Sequence, residues 1–133
     1  MKMRIVFLSV FFFSNMMRIL IAEDNPKLLK MNKAILEKAG FEVETALNGE
    51  EAMEIMDKKK IDVLLLDLLI PKVNGFGVMV HVREKKYLFP IIVLTNLSQR
   101  IDKKQCKELG ATDFLVKSDT DLPDLVEKVK AYV

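Results

Sequence analysis

Val63-Leu64-Leu65-Leu66-Asp67-Leu68-Leu69-Ile70-Pro71-Lys72-Val73-Asn74-Gly75 is the stretch on which the fold of this 133-residue chain turns. Four apolar residues in a row lack the polar alternation of a strand with one wet face. Such a run reads as a central parallel strand covered on both sides. It ends in a lone carboxylate, Asp67, and passes into a loop marked by Pro71 and Gly75.

Working outward from that stretch, the same alternation of short apolar runs and helical patterns recurs. Upstream, Ile19-Leu20-Ile21-Ala22 is strand-sized, and Asn25-Pro26 sets a capping residue before a proline at the first helical position. Leu28, Met31, Ile35, Leu36 and Ala39 carry a helical period that Gly40 stops. Phe41 to Thr45 alternates like a half-buried strand. Asn48 and Glu51 form a capping box for a helix to about Lys59, with Ala52, Ile55 and Met56 inward. Downstream, a helix is expected from about Phe76 to Lys86, then a strand at Pro90–Thr95. Ser98 caps a helix that runs to Leu109 and ends at Gly110. Its apolar anchors are only Ile101, Cys106 and Leu109, so it is expected to be a moving part. Asp113–Val116 is the fifth strand, and a last helix carries Leu122, Leu125, Val126, Val129 and Val133 on one face. Strand and helix follow one another five times. The fold class is therefore α/β: a doubly wound, five-stranded parallel sheet with right-handed crossovers, (βα)5.

Composition agrees and narrows the function classes. Half the residues are hydrophobic and 30% charged, which excludes disorder, and the length suits one domain. Lys plus Arg number 21 against 19 Asp plus Glu, a formal charge of +2 with the signs interspersed, so no basic stripe argues for nucleic acid. The single cysteine, Cys106, makes no internal disulfide, and no Cys/His pair offers a zinc site. A reducing compartment, the cytoplasm, is expected.

Residues 1–16 read as an apolar N-terminal extension and residues 17–133 as the domain. Ile5 to Phe13 is apolar and follows Lys2 and Arg4, yet it is too short to span a bilayer, which needs about 20 residues. The preferred reading is translation from Met17, or a dispensable extension. A membrane-surface or partner-binding anchor ranks second and an export signal last.

Polar residues gather at the carboxyl ends of the strands: Glu23-Asp24 after the first, Asp67 after the third, Thr95 at the fourth and Lys117 after the fifth. In an open doubly wound sheet those ends form one rim, and ligands bind at the topological switch point. If the first and third strands flank that point, three carboxylates converge. Their mutual repulsion calls for a counter-charge, and a hard divalent cation such as Mg²⁺ suits oxygen ligands without Cys or His. Lys117 adds an ammonium and Thr95 a hydroxyl. The set fits an anion arriving on Asp67, the best nucleophile candidate, and phosphoryl transfer is the chemistry that needs it.

From about Met17 to Val133 the chain resembles the response-regulator receiver domains of two-component signalling, built like the chemotaxis response regulator. The acidic pair stands in Ile-Leu-Ile-Ala-Glu23-Asp24, and the phosphoacceptor motif in Leu-Leu-Leu-Asp67-Leu-Leu-Ile-Pro71-Lys-Val-Asn-Gly75. The hydroxyl residue stands in Ile-Val-Leu-Thr95, and the lysine in Gly-Ala-Thr-Asp-Phe-Leu-Val-Lys117. The resemblance implies flavodoxin-like strand order 2-1-3-4-5 and a phosphoryl group donated to Asp67 by a histidine kinase or phosphotransfer protein. It implies Mg²⁺ held by Asp24, Asp67 and the backbone carbonyl of Leu69, with Glu23 ordering the metal's waters. Lys117 would pair with a phosphoryl oxygen while Thr95 swings in to bond another. Phe114, at the switch-aromatic position, would then turn from exposed to buried and remodel the surface of the fourth helix, fifth strand and fifth helix. That surface would carry the output to a downstream protein target. The chain would be a phosphoacceptor rather than an enzyme, apart from self-catalysed phosphotransfer and slow autodephosphorylation.

Two departures stand out. Asn96 follows Thr95 where the family usually has a small residue, which bears on access and phospho-lifetime. Ser118 follows Lys117 where proline is usual, so that peptide bond is expected to be trans. Only 16 residues follow Lys117, room for one helix, so a stand-alone receiver is expected. No direct nucleic-acid contact and no membrane partner are expected; a phosphorylation-dependent dimer stays open. The alternative is a receiver-like interaction module that is not phosphorylated. Against the family roles stand plainer ones. Glu23-Asp24 alone suits a helix start, Phe114 suits plain core, and His81 suits packing without a ligand role. Cys106 reads as a small hydrophobe, Met31, Met53, Met56 and Met79 as core, and Lys58-Lys59-Lys60 as a solvated helix end.

Overall fold

The computed structural model describes residues 16–97 and 100–133, with the side chains of Arg100 and Ile101 left out. The extension at residues 1–15, the Ser98 cap and the Ile101 anchor therefore lie outside the described residues. In chain order the elements are β1 (Arg18–Ala22), α1 (Pro26–Lys38), β2 (Glu42–Ala46), α2 (Gly49–Lys58), β3 (Val63–Leu66) and α3 (Gly75–Glu84). There follow β4 (Ile91–Thr95), α4 (Arg100–Glu108), β5 (Asp113–Val116), a single 3-10 turn (Lys117–Asp119) and α5 (Leu122–Lys130). All strand pairs are parallel, and the order across the sheet is β2-β1-β3-β4-β5, as expected.

Side-chain alternation divides the core into two layers. Leu20, Ala22, Leu64, Leu66, Ile91 and Val93 face Ala52 and Met56 of α2, Val78, Met79 and Val82 of α3, and Cys106 of α4. Their neighbours Ile19, Ile21, Val63, Leu65, Ile92 and Leu94 face Leu29 and Leu36 of α1 and Leu125 and Val129 of α5. Both faces of β1, β3 and β4 are thus dry, which is why those strands read as unbroken apolar runs.

Helix starts obey the capping rules. Asn25 accepts from the N–H groups of Lys27 and Leu28, and Asn48 from that of Glu51, whose carboxylate reaches back to the Leu47 N–H. Asn74 and Asp121 cap α3 and α5 in the same way, two caps the sequence reading missed. Two further expectations fail. The buried stripe of α1 is Leu29, Asn32 and Leu36, and Met31 is exposed. Adjacent Leu28 and Leu29 give two overlapping helical stripes about 100° apart, and the sequence alone does not say which faces the sheet. Val133 lies beyond the last turn of α5 and is also exposed. Met56 and Met79 are buried, and Met53 packs partly buried beside them.

Candidate functional site

The central strands deliver their polar ends to one place because the backbone ladder runs on past them. Glu23 donates its N–H to Ala46 O at 3.0 Å, and Asp67 donates its own to Ala22 O at 3.0 Å. Two carboxylates therefore leave neighbouring strands at nearly the same height. Glu23 and Asp67 are buried and Asp24 is exposed, and each offers an oxygen within 4.8 Å of the others'. Lys117, in the 3-10 turn after β5, reaches across to bridge the buried pair. Its Nζ lies 2.7 Å from Asp67 Oδ2 and donates also to Glu23 Oε1.

Each buried oxygen has a defined partner. The second oxygen of Glu23 accepts from the Asn25 N–H at 3.0 Å, and Asp67 Oδ1 accepts from the Leu69 N–H at 3.3 Å. The turn carrying Lys117 is held by the Thr120 hydroxyl donating to Val116 O at 2.9 Å. The Lys117–Ser118 bond is trans, as expected. Thr95 is fully buried at the end of β4, between the strands that carry Asp67 and Lys117, and its hydroxyl accepts from the Leu97 N–H at 3.4 Å. Asn96 is exposed beside it. Leu69 is an exposed residue of the loop that follows Asp67.

Burial pushes the Glu23 carboxyl above its ordinary value, and neighbouring Asp67 adds to this, while the Asn25 N–H and Lys117 partly oppose it. Burial works against the Lys117 ammonium, but hydrogen bonds to Asp67 and Glu23 outweigh it and hold Lys117 above the usual lysine range. Two buried carboxylates thus share one ammonium, and the exposed third, Asp24, has no ion pair among the described residues. Three hard oxygen donors with an excess of negative charge suit a hard divalent cation.

Glycine lets the loop after Asp67 lie this close. A Cβ on Gly75 would sit 2.7 Å from Asp67 O and from Leu68 Cα, and the Gly75 N–H donates to Leu68 O at 3.0 Å. Gly49, at the start of α2, is a position the sequence reading passed over. A Cβ there would lie 1.9 Å from Val73 O. Only its place in Asn48-Gly49 before a helix hinted at such a contact.

Phe114 is half-buried against the core on the α4 side, with the Lys103 ammonium 5.6 Å from its ring centroid. His81 is no lone packing residue. Its Nε2 meets Asp57 Oδ1 at 3.0 Å, and the Tyr87 hydroxyl donates to the same oxygen.

The family model described as "Response regulator receiver domain" matches residues 19–130. Among curated proteins, the alkaline phosphatase synthesis transcriptional regulatory protein PhoP of Bacillus subtilis is 36% identical over 100 residues, 75% of this chain and 42% of its own length. The transcriptional regulatory protein CpxR of Escherichia coli is 37% identical over 116 residues, 87% of this chain and 49% of its own. The chain thus spans less than half the length of these two curated relatives. Among solved structures, the chemotaxis protein CheY4 of Vibrio cholerae covers 89% of this chain and 99% of its own at 30% identity, with a TM-score of 0.82. The BeF3-activated N-terminal receiver domain of Klebsiella pneumoniae RstA covers 86% of this chain and 97% of its own at 27% identity, with a TM-score of 0.80.

Proposed function

This chain belongs to the response regulator receiver domains, and from that premise we propose that Asp67 accepts a phosphoryl group from a histidine kinase or phosphotransfer protein. The observation that carries this reading is the buried Asp67 carboxylate held 2.7 Å from the Lys117 ammonium, with Glu23 and Asp24 beside it. A carboxylate oxygen of Asp67 attacks phosphorus, its bond to the donor imidazole nitrogen breaks, and the leaving imidazole takes up a proton. Charge that builds on the phosphoryl oxygens falls within reach of Lys117, which already faces Asp67 Oδ2. Thr95 supplies a hydroxyl for another phosphoryl oxygen once it turns from the Leu97 N–H.

Asp24, Asp67 and the backbone carbonyl of Leu69 would hold Mg²⁺, and Glu23 would orient its waters. When bound, the ion offsets the charge of the carboxylates and of the transferring group. Glu23 remains tied to Asn25 and Lys117 and keeps the lysine aimed at Asp67. Turning Thr95 inward would open space for Phe114, whose half-buried ring would shift and reshape the α4–β5–α5 face presented to a protein target.

Incubation with acetyl phosphate and Mg²⁺, followed by intact mass measurement, tests the reading. One added phosphoryl group is expected, lost in Asp67→Asn and in the presence of a chelator. An unchanged mass in the wild-type protein favours the second reading, an unphosphorylated interaction module. That reading draws on Asn96, exposed where the chain departs from the family's small residue.

A further inference from the structure

The end of the sheet opposite Asp67 carries a feature that the phosphoacceptor reading leaves unexplained. Leu88, in the α3–β4 connection, is 96% exposed. Grooves open on both sides of it. One is lined by Val82, Phe89, Pro90 and Leu109, the other by Met56, Ile61 and Phe89. The loop is held firmly. Tyr87 stacks on Phe89 with ring centroids 5.5 Å apart, donates its N–H to Val82 O at 3.1 Å, and sends its hydroxyl to Asp57. Leu88 is thus an apolar side chain held out into water by a firmly bonded loop, and a single exposed leucine carries weight only through what stands around it.

Exposed cations surround the knob. Lys58 ends α2 and Lys60 lines the groove after it, Arg83 lines the other groove, and Lys85 and Lys86 follow α3, while Lys59 is paired with Glu44 at 2.7 Å. Nearby carboxylates are mostly engaged. Asp57 is held by Tyr87 and His81, and Asp62 accepts the Arg18 N–H at 2.8 Å, which leaves Glu84 and Glu108. Basic residues at helix C-termini alone would be ordinary. Around a projecting leucine they make the pairing that an anionic lipid surface takes: an apolar side chain below the headgroups and ammonium groups among them.

The point of chain entry agrees. Met17 O accepts from the Glu42 N–H at 3.0 Å, so β1 begins on this same face. The sequence upstream carries Lys2 and Arg4 and then the apolar run Ile5 to Phe13, a stretch whose second reading is a membrane-surface anchor. We infer that this face, built on Leu88 and its surrounding lysines, docks on an anionic bilayer surface and leaves the acidic rim with Asp67 facing solution. The sequence alone did not favour such a partner. The docking is independent of whether Asp67 is phosphorylated.

Flotation of the 133-residue chain with vesicles tests it. Vesicles of equal parts phosphatidylcholine and phosphatidylserine should carry the protein at low salt and release it as salt rises, while pure phosphatidylcholine carries little. Leu88→Asp, and separately Lys58→Glu with Lys60→Glu, should each weaken partition about tenfold. All three positions are exposed, and unchanged circular dichroism verifies folding. Three results overturn the inference. One is no binding to the anionic vesicles. Another is binding indifferent to both variants, which assigns it to the upstream segment alone. The third is self-association without vesicles that Leu88→Asp abolishes, which makes a second copy the occupant.

Discussion

Lys117 is the residue on which the electrostatics of the rim depend. Its ammonium serves two carboxylates that are each almost wholly buried, and removing one partner of such a cluster is far costlier than the net worth of the pair. Lys117→Met should therefore lose about 3 kcal/mol of unfolding free energy at neutral pH, read from urea titrations. Part of the loss should return in acid. The Glu23 carboxyl already lies above its ordinary value, so its contribution is present at low pH and falls away as pH rises through the folded value. Mg²⁺ should restore stability in the same variant, as any ligand of the native state does, by about 2.7 kcal/mol at a hundredfold excess over Kd. No rescue with Asp24→Asn added to Lys117→Met would assign that effect to the acidic cluster. A reversal of this order, with Lys117→Met as stable as the parent, would contradict the account of a shared ammonium. None of this pairing was legible as contacts in the sequence, where Glu23 and Lys117 stand 94 positions apart. Only the residue types at the strand ends pointed to it.

At the scale of elements, three helices close on a residue with positive φ: Gly40 at 99°, Lys86 at 59° and Gly110 at 100°. In each case the next residue donates back to the helix, as Phe41 does to Leu36, Tyr87 to Val82 and Ala111 to Cys106. Lys86 alone pays the steric cost of a Cβ in that conformation. Lys86→Gly should therefore stabilise the protein by about 0.5 kcal/mol, the left-handed penalty less the added freedom of the unfolded chain. A shifted thermal midpoint checks it. Gly49→Ala should do the opposite, since its Cβ would meet the Val73 carbonyl at 1.9 Å and displace the loop that follows Asp67. A loss above about 2 kcal/mol is expected, together with slower phosphorylation by acetyl phosphate. Glycine stops were readable at Gly40 and Gly110 because a helical period ends there. Lys86 was not, since nothing in a lysine announces a left-handed turn. α4 has one fully buried side chain among the described residues, Cys106, and Phe114 packs beside that layer. With so light an anchorage, its amides should exchange faster than those of β3.

For the molecule as a whole, four groups besides Glu23 hold their protons more tightly in the folded state than free in solution. Burial pushes the Cys106 thiol up to about 11. Hydrogen bonds to Asp57 and Asp113 raise Tyr87 and Tyr132, and the carboxylate pair raises Lys117 against its burial. A group raised on folding lends stability below its unfolded value and withdraws it as pH climbs through the folded one. Unfolding free energy should therefore decline steadily above about pH 8.5, where free thiols begin to ionise and tyrosine and lysine follow. Urea midpoints across that range measure it, and Cys106 should stay inert to thiol reagents until the fold opens. By itself the sequence determined the five strand–helix units, the parallel sheet and the residues at its rim. Unbroken apolar runs such as Val63–Leu66 need cover on both faces, and polar residues that end parallel strands of one sheet meet at one edge. Only the tertiary structure decided which α1 stripe is buried, that one ammonium bridges Glu23 and Asp67, and that Leu88 projects among lysines. These depend on distances between segments far apart in the chain, and no local periodicity encodes a distance.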